Sequence, residues 1–254
     1  MLEFPRMDAQ LALGSRIPFR HAEGQGAIVF DPARLRQAGP ELFDPATSSL
    51  GAELVHARGG RGAAWFVSAQ GIPAVLRQYR RGGWMARLSQ DAYVWPGEAQ
   101  VRSFSEFALM QHLNALGLPV PAPLAACYQR RGLFYRAAIL VERVAGASSF
   151  AAAVAANPDS APWKEAGVAI GRCHLRGARH ADLNANNLLL DRYARVYLID
   201  WDKGRIEPRP GAWCERVLAR LQRSLRKECP GVSAADLAQG MDRLRAAHDR
   251  ELKA

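Results

Sequence analysis

"HLRGARHADLNANNLLLDRYARVYLIDWDKGR", His174 to Arg205, is the stretch that decides how this chain is read. Asp182 precedes Asn187 by five positions, and Asp200 follows two apolar runs, Leu188–Leu190 and Val196–Ile199, joined by "DRYAR". Short apolar runs around a polar link predict a β-hairpin. A hairpin returns the chain on itself, so Asp200 is expected beside Asn187 and Asp182. Two carboxylates and an amide oxygen at strand ends suit phosphoryl transfer. Hard Mg²⁺ takes carboxylate and amide oxygens and keeps some waters. An acceptor hydroxyl needs a carboxylate to orient it and take its proton. Asn187 and Asp200 fit the metal and Asp182 the hydroxyl. The competing reading makes Asp182 and Asp200 plain turn and cap residues.

The flanking sequence supplies an architecture. Residues 1 to about 50 are punctuated by Pro and Gly, with weak periodicity, and the glycines of "GQG" (Gly24 to Gly26) read as a turn. "ELVHARGGRGAAWFVSAQGIPAVLRQYRRGG" then reads as three strands joined by Gly-containing turns. Period-2 alternation in "AVLRQY" places Val75, Arg77 and Tyr79 on one face and Leu76 and Gln78 on the other. "RSFSEFALMQHLNALG" has a helical repeat in Phe107, Met110, Leu113 and Leu116, a cap at Ser103 or Ser105, and a stop at Gly117. Two strands follow around "RRG", then the helices "SSFAAAVAANP" and "WKEAGVAIGRCHLRG", the hairpin stretch, and a helical last fifty or so residues. The order is α+β, with a strand-rich N-terminal half and a helix-rich C-terminal half.

The 254 residues carry 34 Lys and Arg against 24 Asp and Glu, a formal net charge of +10. A basic surface attracts phosphates in nucleotides, nucleic acids or lipid headgroups, and charge alone does not choose among them. No RNA- or DNA-binding motif is visible, so nucleic acid is not expected as a partner. Cys127, Cys173, Cys214 and Cys229 form no CxxC pair and have no His at zinc spacing. They read as reduced, mostly buried thiols of a cytosolic protein. The N-terminus lacks the apolar core of a signal peptide, and no window has the length of a spanning helix, so any membrane contact is expected to be peripheral.

"HADLNANN" resembles the protein-kinase catalytic loop H-R-D-x-x-x-x-N, and "IDWD" resembles the D-F-G metal site. The order of Gly-rich turn, strand, helix and catalytic loop is also similar to that fold. The resemblance implies one two-lobed kinase-like domain over 1–254, with an N-lobe at about 30–142, a C-lobe at about 143–254 and residues 1–30 as an N-terminal extension. It implies ATP and Mg²⁺ as cofactors. In "GGRGAAWF", Gly60 and Gly62 would let backbone N–H groups approach the phosphates. Arg77 stands where the family places a phosphate-holding Lys, and the two are not equivalent. Val75 would lie over the adenine, Glu106 would pair with Arg77, and the backbone around Glu142 in "AILVERV" would read the adenine edge.

Departures from protein kinases are visible. Ala181 replaces the loop Arg, Asn184 replaces the Lys that contacts the transferred phosphate, and no A-P-E follows Asp200. Within kinase-like folds, "FDP", "GRG", "LRQYRRGG", "RSFSEFALM", "GLPVPAPLAA", "HADLNANNLLLD" and "YLIDWDKG" resemble the lipopolysaccharide kinase family from about Asp31 onward. That resemblance implies phosphorylation of the 4-hydroxyl of 3-deoxy-D-manno-octulosonic acid (Kdo) on a lipid A precursor. The expected location is the cytoplasmic face of the bacterial inner membrane, with peripheral attachment to its anionic surface. A core heptose kinase, another small-molecule kinase and a catalytically dead kinase-like binding module remain open. Arg80, Arg81, Arg87 and Arg102 could receive an anionic glycolipid. In "WCERVLARLQRSLRKE", Arg216, Arg220, Arg223 and Lys227 form one helical row opposite Val217, Leu218, Leu221 and Leu225. That helix suits an anionic headgroup layer or, as the plainer reading, the outside of the core.

Overall fold

The computed structural model describes residues 14–22, 24–46, 53–55, 64–79 and 93–254. The chain divides into two compact units. The sheet unit runs up to Gln111 and adds Ala122–Arg143; the helical unit takes His112–Pro121 and Val144–Ala254.

The sheet unit contains β1 (Ser15–His21), β2 (Gly24–Phe30), β3 (Glu53–Val55), β4 (Ala64–Ala69), β5 (Ile72–Gln78) and β6 (Tyr93–Val94). Helix α1 (Arg102–Ala115) begins in it, and β7 (Pro123–Arg131) and β8 (Phe134–Glu142) complete it. The strand order is β1-β2-β7-β8-β5-β4-β3, every described pairing is antiparallel, and β6 lies on β8. The hairpin from β4 to β5 turns on Gln70 and Gly71, with φ of 53° and 85°. Two consecutive positive φ values are what a two-residue turn requires if its twist is to match the strands. Ile28, Phe30, Val67, Ala74, Leu76, Leu124 and Leu140 form the core of this unit. Ala74 and Leu76 face that core while Val75 and Arg77 alternate to the other side.

Three expectations need correction here. The described part of the expected extension, residues 14–22 and 24–30, belongs to the sheet of the N-lobe, which was expected to begin only at about residue 30. Its strands β1 and β2 join the main sheet through the pairing of Gln25–Phe30 with β7. Gly24 to Gly26 lie in strand β2, not in a turn. A Cβ on Gly26 would fall 2.3 Å from the carbonyl of Tyr128, so close strand approach requires this glycine. Nor does Ser103 or Ser105 cap α1. The helix starts at Arg102, the buried Ser103 hydroxyl donates to the carbonyl of Cys127 at 2.8 Å, and Ser105 donates back to Val101.

The helical unit contains β9 (Ser148–Ser149), α2 (Phe150–Ala156), α3 (Trp163–Leu175), β10 (Ala178–Arg179), β11 (Leu188–Leu190) and β12 (Val196–Leu198). It ends with β13 (Arg205–Ile206), α4 (Ala212–Glu228) and α5 (Ala234–Glu251). Ser149 caps α2 by accepting the N–H of Ala152 at 3.1 Å, and Ser233 caps α5 through Asp236. Helix α3 buries Trp163, Ala166, Gly167, Ala169, Ile170, Cys173 and His174, a continuous stripe at helical spacing. Its partner α5 approaches closely because both helices offer glycine at the contact. A Cβ on Gly167 would stand 2.2 Å from the Leu244 carbonyl, and one on Gly240 would stand 2.2 Å from the Trp163 ring. The four cysteines are free and buried, as expected.

The α3–α5 seam also holds a chain of polar groups. His174 Nδ1 and His248 Nε2 are 2.8 Å apart, and His248 Nδ1 is 2.8 Å from the Asp249 carboxylate. A neutral His248 that donates to Asp249 from Nδ1 accepts the His174 Nδ1–H on its Nε2. Burial, and then the neighbouring rings of His248 and His180, push the His174 pKa down to about 3. The unfolded chain binds a proton that the native ring refuses. This contribution is complete above the unfolded value of about 6.5 and is lost as the pH falls toward the folded value, at about 1.4 kcal/mol per pH unit. Urea unfolding at a series of pH values should show that decline, and His174→Gln should flatten it. An equal slope in the variant would refute the assignment.

Candidate active site

The strands β11 and β12 pair as expected, with Leu188 opposite Leu198 and Leu190 opposite Val196. Asp191 closes their turn by accepting the N–H groups of Tyr193 (2.8 Å) and Arg195 (3.0 Å), while Ala194 takes a φ of 59°. Ile199 N–H donates to the Asn187 carbonyl at 3.0 Å. The hairpin thus brings Ile199 against Asn187, with Asp200 the next residue along the chain.

Asp182 sits in a loop with a dense set of hydrogen bonds. The carbonyl of Asp182 accepts Asn187 Nδ2 at 3.0 Å and Asn184 Nδ2 at 3.1 Å. Asn184 Oδ1 accepts the backbone N–H groups of Asn186 and Asn187 at 3.0 and 3.1 Å. With its amide nitrogen committed to the Asp182 carbonyl, Asn187 has its oxygen left as an acceptor. His180, buried beneath the loop, accepts the Asp182 N–H on Nδ1 at 3.1 Å and donates from Nε2 to the Ile199 carbonyl at 2.9 Å. Burial, the largest influence, lowers the His180 pKa and keeps the ring neutral, as one donor and one acceptor require. His180 thereby ties the Asp182 loop to the strand that ends at Asp200.

Asp200 has a φ of 63°. Left-handed backbone is uncommon outside glycine, although Asp tolerates it better than most, and it is often held at functional sites by its surroundings. Here the holder is Trp201. Its ring is fully buried, 4.8 Å from the His180 ring, and its Nε1 donates to the Leu198 carbonyl at 3.0 Å. The short pairing of β10 with β13 and the Arg179–Glu207 ion pair at 2.9 Å bracket the whole segment.

Helix α4 contributes what sequence reading did not anticipate. Arg220 Nε donates to Asp182 Oδ1 at 2.7 Å, and Arg220 Nη2 reaches the same oxygen. One turn on, Ser224 Oγ accepts the Ala185 N–H at 3.0 Å. Val217, Leu218, Leu221 and Leu225 are buried, as expected, and Arg220, within the exposed row opposite them, pairs with the loop carboxylate. His180 and Ser224 were missed as well. His180 was readable from the first position of the H-x-D motif, whereas nothing in the sequence marks Ser224.

In the sheet unit, Arg77 on β5 lies 2.5 Å from both carboxylate oxygens of Glu106 on α1. Glu106 is 2 % exposed, and its carboxylate also accepts the Tyr79 hydroxyl. The Arg77 guanidinium stands 4.9 Å from the Tyr79 ring centre. Val75, two positions before Arg77 on the same strand face, pairs with Phe66 and Val141. Glu142 ends β8 with its carboxylate on Arg34 at 2.6 Å and its N–H on the Ala122 carbonyl at 2.8 Å. Arg102 stacks on Tyr93 at 4.9 Å. Gly60 and Gly62 fall outside the described residues, as do Arg80, Arg81 and Arg87.

Asn187 and Asp200 offer hard oxygen donors from adjacent hairpin positions, a set that suits Mg²⁺ bound partly through water. No cluster of three or more His, Cys, Asp or Glu that could hold a metal occurs among the described residues.

In the helical unit, an H-x-D-x-x-x-x-N loop fixed by its own asparagines precedes a hairpin that ends in a carboxylate on left-handed backbone, an arrangement that suits a phosphotransferase of the kinase class. Residues 47–242 match the model of the lipopolysaccharide kinase (Kdo/WaaP) family, and the chain belongs to that family. It is accordingly an ATP-dependent kinase with a kinase-like α+β fold. A 3-deoxy-D-manno-octulosonic acid kinase of Xylella fastidiosa (strain 9a5c) is 49% identical over 232 residues, covering 91% of this chain and 93% of that protein. The enzyme of the same description from Xanthomonas campestris pv. campestris (strain B100) is 47% identical over the same shares. The solved structure of WaaP in complex with acyl carrier protein superposes with a TM-score of 0.49 at 13% identity, covering 89% of this chain and 98% of that one.

Proposed function

We propose that this kinase transfers the γ-phosphoryl group of ATP to the 4-hydroxyl of Kdo on a lipid A precursor. The observation that carries the reading is the 49% identity, spread over 91% of the chain, with a relative named for that sugar acid.

The roles divide between the units. Asp182 accepts a hydrogen bond from the acceptor hydroxyl and takes its proton as the oxygen forms a bond to the γ-phosphorus and ADP departs. Asn184, Asn187 and His180 hold the loop so that the carboxylate waits in position. Asn187 and Asp200 would hold Mg²⁺, which neutralises charge on the phosphate oxygens when bound. In the sheet unit, Glu106 aims the Arg77 guanidinium at the α- and β-phosphates, a bidentate contact where a Lys would act as a point charge. Val75 packs on the adenine, the backbone around Glu142 reads its edge, and Gly60 and Gly62 bring N–H groups to the phosphates.

The same reading places the enzyme peripherally on the anionic cytoplasmic face of the inner membrane. No helix among the described residues is long and apolar enough to cross a bilayer. In the sheet unit, Val94, Leu133 and Phe134 are 60%, 74% and 48% exposed. Val94 pairs with Phe134, and Leu133 accepts the Trp95 N–H at 2.8 Å, so the three are neighbours, flanked by Arg130 and Arg131. An apolar tip with cationic flanks favours an anionic lipid surface.

The test uses pure protein, labelled ATP and Mg²⁺, with a Kdo-bearing lipid A precursor in anionic vesicles. Label should appear on Kdo, and the protein should sediment with the vesicles less well as salt rises. Transfer to a heptosylated core and none to Kdo would overturn the acceptor assignment. Absence of sedimentation would overturn the membrane assignment.

A further inference from the structure

Arg220 is an unusual neighbour for a group that must accept a proton. Its partner Asp182 is about half exposed, as it is itself, so burial of a charge does not explain the pairing. Nor is Arg220 needed to attach α4 to the loop, because Ser224 already takes the Ala185 N–H one turn away and Trp213, Cys214, Val217, Leu218, Leu221 and Leu225 of α4 are buried. The geometry of the contact is informative. A guanidinium presents two forks, one along Nε and Nη2 and one along Nη1 and Nη2. Asp182 Oδ1 occupies the first. The second makes no hydrogen bond among the described residues, and Arg216 and Arg223, which precede and follow Arg220 on the same helix face, are exposed.

We propose that the Nη1–Nη2 fork of Arg220 is the binding site for the carboxylate of the acceptor sugar acid. The inference rests on reading the acceptor as Kdo, whose name specifies the chemistry: an acid carbon at C1, and a methylene at C3 between C2 and the reacting C4. The carboxylate and the 4-hydroxyl thus sit on ring carbons separated by a single CH₂. A guanidinium that already touches the base can grip the acid while Asp182 accepts the neighbouring hydroxyl. Planar bidentate pairing of Arg with carboxylate supplies strength and orientation together. The arrangement also selects: a neutral sugar that fills the site would leave the fork facing nothing, which lowers affinity for it.

The experiment compares two acceptors, the Kdo glycolipid and its C1 carboxamide, on wild type, Arg220→Gln and Arg220→Lys, with thermal melts to verify folding. Wild type should show a roughly 10- to 100-fold higher KM for the amide, the range of a charge-assisted pair. Arg220→Gln should raise KM for the acid by a similar factor, leave KM for ATP unchanged and no longer distinguish acid from amide. Arg220→Lys, which keeps the charge and loses the fork, should fall between. Full discrimination in Arg220→Gln would overturn the proposal, as would a fall in kcat with unchanged acceptor KM, since that marks a residue that only positions Asp182. A wild type that phosphorylates neither acceptor but does phosphorylate a heptosylated core would remove the acceptor reading itself, and the inference with it.

Discussion

Asp182→Asn is expected to lower kcat by about 10²- to 10⁴-fold, the usual contribution of a positioned general base, while nucleotide affinity stays near wild type. The substitution retains the shape of the side chain and removes the acceptor's proton sink. It should not disturb the fold. The loop is held by the Asp182 backbone, whose carbonyl receives two asparagine side chains and whose N–H reaches His180. The lost ion pair with Arg220 is half exposed, and such pairs contribute about 0–1 kcal/mol. Steady-state kinetics with a nucleotide-binding measurement would decide. A variant with full turnover removes Asp182 from the chemistry, and one that fails to bind ATP makes its role structural.

The second large effect is expected at Glu106, and it should differ in kind. Its carboxylate is nearly inaccessible and receives both Arg77 and the Tyr79 hydroxyl. Removing one partner of a buried pair costs about 3–5 kcal/mol. Arg77 retains a quarter of its side-chain exposure, which allows some rehydration and puts Glu106→Ala near the lower end. For a protein of this size that is a melting-temperature drop on the order of 10 °C. Glu106→Gln keeps the volume and loses the charge that aims Arg77, so it should hold more of the stability yet raise KM for ATP at least several-fold. An unchanged KM for ATP in Glu106→Gln would mean that Arg77 serves the sheet and not the phosphates.

Much of the site was legible because its marks are local. The Asp182-to-Asn187 spacing, the two apolar runs and Asp200 lie within one stretch, and hairpin closure does the rest. Arg77 and Glu106 lie 29 residues apart, and it was the resemblance to the kinase fold that paired them. The pairing of Arg220 with Asp182 spans 38 residues, and its cause is the docking of α4, which composition does not encode. Periodicity identified the apolar side of that helix correctly. It could not tell which arginine of the opposite row would meet the loop. Strands β1 and β2 were illegible for another reason. Gly24 and Gly26 signal a turn locally, and only the backbone of β7 beside them makes glycine a requirement of strand packing. Asn184 was marked as a departure from the kinase pattern. Its structural role, bracing Asn186 and Asn187, shows why an amide is useful there.

The glycines between α3 and α5 bear on how this enzyme could be engineered. Exchanging a helical glycine for alanine is a routine way to raise thermal tolerance, since alanine favours the helix by about 1 kcal/mol. At Gly167 and Gly240 the added methyl would collide with the Leu244 backbone and the Trp163 ring, and the usual gain is reversed. Those sites are closed to the commonest stabilising substitution, whereas Gly231, in the turn between α4 and α5 with open space around it and no left-handed backbone, could take alanine only for the smaller gain of a less flexible unfolded chain. A library built on helix propensity alone would prise apart the two helices that support the catalytic loop's own unit, and its failures would cluster far from any residue that touches substrate.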